Sequence, residues 1–504
     1  MKKLLFAFLF FSSQVFSQIT FQKAYGGGGT DGSWSVQQTS DKGFVITAEL
    51  SGICYDLKTD SVGNIAWSKT YNMSYGNMVQ ETFDGGYITT GLGFYLIKSD
   101  ALGNPVWSKQ YVAGTEAYSL EQTSDSGYIV AGYTNNLGAG MGELYLVKTD
   151  SVGNMIWDKT YGGTNNEGIP GYGNISVQQT PDGGYIVAAY TNSFGAGGYD
   201  FYLIKTDAGG NVTWTRTFGG IGTEYGYGNS VGQTADGGYV IVGSTDSFGS
   251  GSDDVYLFKT DANGNLLWSK TYGGVNSDYG YSVQQTTTGG YIITGATSSF
   301  GSGGYDAYLI KTDPVGNLLW SKTYGGVGVD YGYSVDKTTD GGYVITGYTW
   351  SFGVGGADVY LIKTDANGNS GCYENNPATL VTTPSTIVTT PATLVSSGGT
   401  TNISTTTQNN SGVATTICFT TGIDEEIFQA DINIYPNPSN GIFTIYSEKE
   451  ITAIEIYNSL GELVFSSEPQ TTYYELDLRS KSKGIYFVKV LADDKMYSQK
   501  IIIK

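Results

Sequence analysis

The feature that most limits how this chain can fold is a short phrase, D-x-x-G-N-x-x-W, that recurs through its first 372 residues. In six copies a tryptophan follows the aspartate by seven residues, and successive tryptophans are 40 to 57 residues apart. A seventh copy begins at Asp365 and has Cys372 where the tryptophan would stand. Repeats of this length are typical of stacked or circular architectures. The six tryptophans are Trp67, Trp107, Trp157, Trp214, Trp268 and Trp320.

Each repeat contains four segments in which apolar and polar residues alternate, and we call them strands a, b, c and d. In the repeat that contains Trp268 they are residues 266–272, 281–286, 290–295 and 306–312. Alternation of this kind is the pattern of half-buried β-strands. Four antiparallel strands per repeat, present seven times, predict an all-β fold, a seven-bladed β-propeller of four-stranded blades over residues 18–372.

The turns between these strands decide whether the repeated aspartate belongs to a metal site. Strand d leads to strand a through D-x-x-G, which has the Asp and Gly of a type I turn. Strand b leads to strand c through pairs such as Asp182-Gly183, a strong hairpin signal. A calcium loop needs oxygen ligands at alternate positions, yet the third position is Val, Leu or Gly in five of the seven copies. We therefore predict turns, and we assign no metal-binding residue.

The lengths of the connections predict how the ring closes. Only the a→b connection stays several residues long in every repeat, so it should join one blade to the next, which gives blades in the order b-c-d-a. The seventh repeat lacks strand a, because "NSGCYENNP" replaces "NLLWSKTYG". Residues 19–27, "ITFQKAYGG", have the missing pattern, with Phe21 in the tryptophan register. We expect this segment to pair antiparallel with residues 357–364.

The repeat also resembles a known family. The stretch "GGYIITGATSSFGSGGYDAYLIKTDPVGNLLWSKTYGG" is similar to the bacterial seven-bladed propeller repeats often called SBBP, which carry a comparable aromatic-rich strand and a closing Y-x-G-G. The resemblance covers residues 19–372 and is weakest in the first two repeats. It implies the propeller fold and no particular activity.

The composition removes several classes of function. The chain has no His, which excludes Ser-His-Asp and Cys-His catalytic groups and His-ligated zinc. A formal charge of −20 with two arginines, Arg216 and Arg479, argues against nucleic-acid binding. We expect no cofactor and no catalytic residue, so the protein is predicted not to be an enzyme.

Both ends of the chain indicate export. Lys2 and Lys3 precede an apolar run at residues 4–11, which predicts a signal peptide over residues 1–17. No other stretch approaches about 20 apolar residues, so no transmembrane segment is expected. In an oxidising compartment Cys372 and Cys418 could form a disulfide, and three unpaired thiols are the alternative.

Two further regions follow the repeats. Residues 373–430 are rich in Thr, Ser and Pro and are predicted to be an extended linker or a thin strand-rich stalk. Residues 431–504 contain alternating strands and are predicted to form a small β-sandwich. This last segment resembles the type A sorting domain of the type IX secretion system. The positions that carry the resemblance are Pro436, Asn437, Pro438, Gly441, Gly461, Gly484, Tyr486 and Lys504.

The sorting resemblance implies a partner and a destination. It implies contact with the type IX secretion machinery, passage through the periplasm and across the outer membrane, removal of the domain, and a final place outside the cell or on its surface. For the exported propeller, taken as a monomer, we predict a binding or adhesion module for a glycan or a protein. The alternatives are a secreted glycan-active enzyme and a passive surface or spacer protein.

The predicted binding face is the one that carries the a→b and c→d loops, since those loops hold all the length variation. Trp350 stands where other repeats have Asn, Asp or Ser, and Trp34 stands at the start of a b strand where Tyr281 lies in a later repeat. An exposed Trp can stack on a sugar ring or anchor a protein partner. We predict Trp350 and Trp34 as ligand-binding residues, with Trp350 the more favoured.

Overall fold

The structure is a computed structural model that describes residues 18–111, 115–138, 140–168, 175–225, 231–396, 401–403, 413–421, 432–458, 463–492 and 495–504. These ranges contain β-strands and no helix. The chain divides into two compact units, residues 1–422 and 423–504, which are described separately. The predicted signal peptide, residues 1–17, and Gly461 lie outside the described residues.

The first unit is a seven-bladed propeller, as predicted. Each blade is an antiparallel sheet in the order b-c-d-a, and the b strands of successive blades contact one another around the ring, which makes them innermost. In that order the strands are Asp31–Gln38, Phe44–Leu50, Ile53–Thr59 and Ile65–Tyr71 in blade 1; Gly76–Glu81, Tyr87–Gly91, Tyr95–Ser99 and Pro105–Tyr111 in blade 2; Glu116–Gln122, Tyr128–Thr134, Glu143–Thr149 and Met155–Gly162 in blade 3; Ser176–Gln179, Tyr185–Thr191, Asp200–Thr206 and Val212–Gly219 in blade 4; Glu224–Tyr225 with Val231–Gln233, Tyr239–Thr245, Asp254–Thr260 and Leu266–Gly273 in blade 5; Asp278–Gln285, Tyr291–Thr297, Asp306–Thr312 and Leu318–Tyr324 in blade 6; Asp330–Lys337, Tyr343–Thr349, Asp358–Thr364 and Ile19–Gly26 in blade 7.

The apolar core lies between the blades. The c and d strands are sandwiched between neighbouring sheets and are buried along almost their whole length, as in Tyr291–Thr297. The a strands are at the rim, so their burial alternates at the start, as in Leu266–Gly273. The repeated tryptophan joins each blade to the next: the Trp268 ring lies 5.8 Å from that of Tyr291 in the following blade. Its register in the repeat is therefore explained by packing.

The ring closes at blade 7 through the N-terminal strand, as predicted. Ile19–Gly26 pairs antiparallel with Asp358–Thr364, and Phe21 lies opposite Lys363 as Trp320 lies opposite Lys311. The Phe21 ring contacts Phe44 of blade 1 at 6.2 Å between centroids. Phe21 thus makes for the last blade the contact that the tryptophans make for the others.

The Thr/Ser/Pro-rich segment differs from the predicted linker or stalk. The described parts of residues 374–421 lie along the rim, where their short strands add a fifth strand to six of the seven blades. We call residues 373–421 the belt. The physical reason is that every outer a strand has an unpaired edge of N–H and C=O groups, which an extended chain can satisfy. The belt strands on blades 6, 5, 4, 3, 2 and 7 are Glu374–Asn375, Leu380–Thr382, Ile387–Thr389, Leu394–Ser396, Thr401–Ile403 and Val413–Thr421.

A seven-residue period matches the belt to the blades. Thr382 lies opposite Thr271, and Thr389 lies opposite Thr217 one blade away. Seven extended residues span about 23 Å, so each repeat of the belt advances by one blade. Pro377, Pro384 and Pro391 recur at the same interval between the short strands. A disulfide joins Cys372 to Cys418 across this circuit, and Cys54 is a buried free thiol.

The second unit is a small β-rich domain. The long strand Ile442–Asn458 pairs with four others, and its register breaks between Tyr446 and Ile451, so its two halves serve different partners. Phe443, Ile456 and Val488 lie in its core. The other strands are Ile432–Tyr435, Leu463–Ser467, Thr471–Asp477, Gly484–Ala492 and Lys495–Ile503.

Candidate binding face

The short turns occupy one face of the propeller, which we call the turn face, and their aspartates are used within the turns. Asp207 accepts hydrogen bonds from the Asn211 side-chain amide at 2.8 Å and from the Asn211 and Gly209 backbone N–H at 2.8 and 2.9 Å. The bond from the Asn211 side chain is the largest cause of the lowered pKa of Asp207. The carboxylate is therefore committed to the turn, as the type I turn pattern predicts.

A second repeated element of the turn face is an Asp held by Thr and Lys. In blade 3 Asp125 accepts from Lys148 at 2.9 Å and from Thr123 at 2.5 Å. Although burial alone would raise it, these bonds lower the pKa of Asp125 to about 2. Blade 6 lacks this acid and has Thr288 in its place, hydrogen bonded to Thr286 at 3.0 Å. Except in the b→c turn of blade 6, acids stabilise the short turns of this face, so we assign the turn face a structural role.

The opposite face carries the a→b and c→d loops, and we call it the loop face. Blade 7 differs from the others there because three apolar side chains are exposed together. Val327 is 89% exposed, Trp350 54% and Val354 53%. In blade 6 the two c→d loop positions that match Trp350 and Val354 are Ser298 and Ser302. We call Val327, Trp350 and Val354 the blade 7 patch.

Trp34, the other predicted ligand-binding residue, is placed differently. It is half-buried, and its ring lies 4.6 Å from that of Tyr333 at the junction of blades 1 and 7. Tyr333 in turn stacks on Tyr331 and Tyr281, at 5.6 and 4.9 Å. An arc of rings thus runs along the inner strands of the loop face. Its members are Tyr225, Tyr279, Tyr281, Tyr305, Tyr331, Tyr333, Tyr348 and Trp34.

The aromatic rings of the arc stack on one another, and this packing distinguishes Trp34 from Trp350. Tyr281 and Tyr331 are 13° from parallel, and Tyr331 and Tyr333 are 17° from parallel. Such offset stacking is a favourable arrangement for aromatic pairs, so the arc is a packing element between blades. Trp350, in contrast, is about half exposed. The structure therefore places the more accessible platform in the blade 7 patch.

Pairs of buried carboxyl groups beneath the loop face were not found by sequence reasoning. A Cβ built at Gly325 would lie 2.5 Å from both Asp306 Oδ1 and Asp330 Oδ2, so the two carboxyl groups lie within about 5 Å of each other. Both residues are fully buried, and the closest groups are backbone amides and Ser351, whose hydroxyl donates to Asp330 at 2.6 Å. The sequence does contain a signal for these pairs. An Asp begins strand d in most repeats, and an acid begins strand b of the next blade.

These carboxyl groups fix loops and have raised pKa values. Asp278 accepts from Gly274 N and from the Ser299 hydroxyl, both at 2.7 Å, so it holds the loop before strand b against the c→d loop of the same blade. Burial, with the charge of Asp330 as a further cause, raises the pKa of Asp306 to about 6. Burial likewise raises the pKa of Asp254 and of Asp358 to about 6.

The raised values predict a propeller that is more stable in mild acid. Below the folded pKa of about 6 the native state takes up protons that the unfolded chain, with Asp near 3.9, does not bind, so stability increases as the pH falls from 7.5 to 5. The Asp–Lys pairs of the turn face oppose this only below about pH 4. We expect the melting temperature to rise by a few degrees over this interval. Asp306→Asn should raise it at pH 7.5 and flatten its pH dependence, whereas a fall in melting temperature on acidification would contradict this account.

The acids that break the repeat are also engaged. Asp253 accepts from the Tyr225 hydroxyl and from Ser277 at 2.9 Å, at one end of the aromatic arc. Asp336 is half-buried and accepts from Gln38 N at 2.8 Å and from Gln284 at 3.0 Å, so it bridges blades 1 and 6. Asp246 accepts from Thr223 N within blade 5. Among the residues that the structure describes, no three His, Cys, Asp or Glu side chains are grouped so that they could hold a metal ion.

The C-terminal unit brings most of its predicted motif together. Asn437 Oδ1 accepts from Ile502 N at 3.0 Å, and the Lys504 backbone N–H donates to Ser439 O at 2.9 Å, so the Pro-Asn-Pro segment is held against the end of the chain. The Tyr486 hydroxyl donates to Ser482 O at 2.7 Å. Residues 433–504 match the family described as "Secretion system C-terminal sorting domain". The C-terminal unit is a type IX secretion sorting domain. It marks the chain for export to the cell surface or the extracellular space.

Comparisons with solved structures return matches at low similarity. PorZ, a surface component of the type IX secretion system of Porphyromonas gingivalis, is 10% identical with a TM-score of 0.39, over 95% of this chain and 59% of that one. The WD40 propeller domain of Doa1 is 12% identical with a TM-score of 0.43, over 68% of this chain and 97% of that one. A protein of unknown function from Dyadobacter fermentans is 11% identical with a TM-score of 0.36, over 69% of this chain and 95% of that one. At these values the similarities carry no information on function.

No curated protein sequence matches the chain. Within the part of the chain that the structure describes, no helix is long and apolar enough to cross a membrane.

Proposed function

We propose that the exported propeller is a binding module whose ligand, a glycan or a protein, contacts the blade 7 patch. The observation that carries the proposal is the joint exposure of Val327, Trp350 and Val354 on one blade of the loop face. A half-exposed indole on the same blade as two exposed valines offers an uncharged apolar surface. Such a surface suits the apolar face of a sugar ring or the anchor residue of a protein partner.

The contrast between blades supports a specific role for this surface. Ile221 of blade 5 and Val275 of blade 6 occupy the position of Val327 and are also exposed, at 86% and 72%. Their c→d loops, however, carry polar residues where blade 7 has Trp350 and Val354. Single exposed apolar residues are ordinary on protein surfaces, whereas a group of them marks an interaction site.

We also propose that the module binds without hydrolysing its ligand. Glycoside hydrolysis needs two accessible carboxyl groups at a set separation across the scissile bond. Asp246 and Asp253 lie in one loop of blade 5, whereas Asp336 is half-buried in an inner strand of blade 7. The release of reducing sugar from a bound glycan by the secreted protein would contradict this proposal.

The binding proposal predicts a loss of affinity on truncation of the indole. Trp350→Ala should weaken binding to a ligand found on a glycan array or a panel of extracellular proteins by about tenfold or more, as expected of an aromatic anchor. Ile221→Ala is the matched control, since it removes an exposed apolar side chain from the same face in another blade. Equal affinities of wild type and Trp350→Ala would exclude the patch, and an equal loss in both variants would argue for nonspecific adsorption.

A further inference from the structure

The propeller has one seam where its ring is not joined by consecutive chain. Strand a of blade 7 is Ile19–Gly26, whereas its neighbour Asp358–Thr364 lies more than 300 residues later in the sequence. Every other a strand follows its d strand through a short turn. The seam is therefore held by hydrogen bonds and side-chain packing, and it is the place where the ring can open without breaking the chain.

Gln22 fastens the inner side of this seam. Its side chain is completely buried, and its amide donates to Ser370 Oγ at 2.7 Å and to the Cys372 carbonyl. The Tyr360 hydroxyl donates to Gln22 Oε1 from strand d of blade 7. A buried amide that satisfies three partners ties the closing strand to the segment in which the chain leaves the blade.

The last belt strand covers the outer side of the same seam. Val413–Thr421 pairs antiparallel with Ile19–Gly26 along its whole length, and Cys418 lies opposite Gln22. The closing strand is thus paired on both edges. The Cys372–Cys418 disulfide then joins the covering strand to the exit of blade 7, on the other side of the closing strand.

Between its two ends the belt is attached by hydrogen bonds with little apolar burial. Its strands on blades 3, 4 and 5 are three residues long, and their apolar side chains remain largely exposed, with Leu380 at 51% and Ile387 at 43%. Hydroxyl groups add side-chain bonds to the rim strands, such as that between Thr382 and Thr271 at 2.6 Å. Each such bond contributes little net stability, so we attribute the grip of the belt on the seam mainly to its two fixed ends, one continuous with blade 7 and the other held by the disulfide.

We propose that the disulfide-closed belt is a redox-dependent clasp that holds the ring shut at the blade 7 seam. Formation of the clasp removes two electrons and two protons from the Cys372 and Cys418 thiols and transfers them to a protein disulfide donor of the exporting compartment. A phosphine reductant reverses it: the disulfide accepts two electrons from the phosphine, water supplies the oxygen of the phosphine oxide and two protons, and both thiols are restored. Both cysteines are half-buried, so a small reductant can reach the bond.

Amide hydrogen exchange of the secreted protein tests the clasp directly. In Cys418→Ser, and in wild type reduced with a phosphine after folding, exchange of the amides of Ile19–Gly26 should accelerate by about tenfold or more. Exchange in Tyr185–Thr191 of blade 4, on the far side of the ring, should be unchanged. The control Cys54→Ser removes the buried free thiol and should leave both segments as in wild type.

The outcomes separate a clasp from a general stabiliser. Unchanged exchange in Ile19–Gly26 after verified loss of the disulfide would overturn the proposal. Equal acceleration in all seven blades would also overturn it, because the bond would then act on global stability and not on the seam. If Cys418→Ser fails to fold, reduction of folded wild type still gives the measurement, and Gln22→Leu should accelerate exchange of the same strand with the disulfide intact.

Discussion

Secretion is expected to fail when residues 432–504 are deleted, and the propeller should then accumulate in the periplasm. The reason is that the sorting domain is the element that marks the chain for the type IX machinery, and the first unit has its own core and closes its own ring without it. The measurement is fractionation of cells and medium, with the protein detected through the propeller. A matched control joins residues 423–504 to a periplasmic reporter, which should be exported. Secretion of the truncated chain at the wild-type level would contradict the assignment.

A large loss of stability is expected from Gly219→Ala. A Cβ at this position would lie 2.2 Å from Asp200 Oδ1 and 2.2 Å from Glu224 Oε2, and both acids are buried and held by loop backbone amides. Glu224 Oε2 cannot move without losing its bond from the Gly220 backbone N–H, and Asp200 Oδ1 cannot move without rotating the carboxylate whose Oδ2 accepts from Ala196 N. Overpacking should therefore lower the free energy of unfolding by about 3 kcal/mol. Denaturant unfolding of the purified propeller measures it.

Gly27→Ala is the matched control for this substitution. The glycine follows the same aromatic-Gly step at the end of the closing strand, but the nearest atom to its built Cβ is 3.9 Å away. It should change the free energy of unfolding by less than about 0.5 kcal/mol. Equal effects of the two substitutions would show that the carboxyl pairs do not enforce glycine at these positions.

Much of the propeller was predictable from the sequence because each of its structural features repeats from blade to blade. The tryptophan register identified the a strands, and Phe21 in that register identified the strand that closes the ring at blade 7. Turn chemistry fixed the role of the D-x-x-G aspartates, such as Asp207. In both cases one physical requirement, packing or turn geometry, acts on the same residue in every blade.

The belt was not predictable as a fifth strand by the same means. Tripeptides such as Leu380–Thr382 are too short to show alternation, and Thr and Pro are typical of linkers. What binds them is the unpaired edge of a strand that lies far away in sequence. The seven-residue interval between Pro377, Pro384 and Pro391 was the available signal, since it equals one blade of the rim.

The candidate site also has one part that was predictable from the sequence and another that was not. Trp350 was found because it differs from the residues at the same position in the other repeats. A residue that breaks a repeat does not share the structural role that the repeat maintains. The exposure of Val327 and Val354 beside it depends on how two loops of blade 7 fold, which the sequence does not encode locally. Conversely, Trp34 was also an exception, yet its position against Tyr333 makes it part of a stacked arc.

Hydrogen exchange of the secreted propeller with and without its ligand tests the central claim most directly. Once a glycan or protein ligand has been identified, the bound state should slow exchange in residues 326–330 and 350–357, the loops that carry the blade 7 patch. The short turns on the opposite face, such as residues 60–64 and 313–317, should exchange as in the free protein. Protection confined to those turns, with none in the blade 7 loops, would contradict a binding module that uses its loop face.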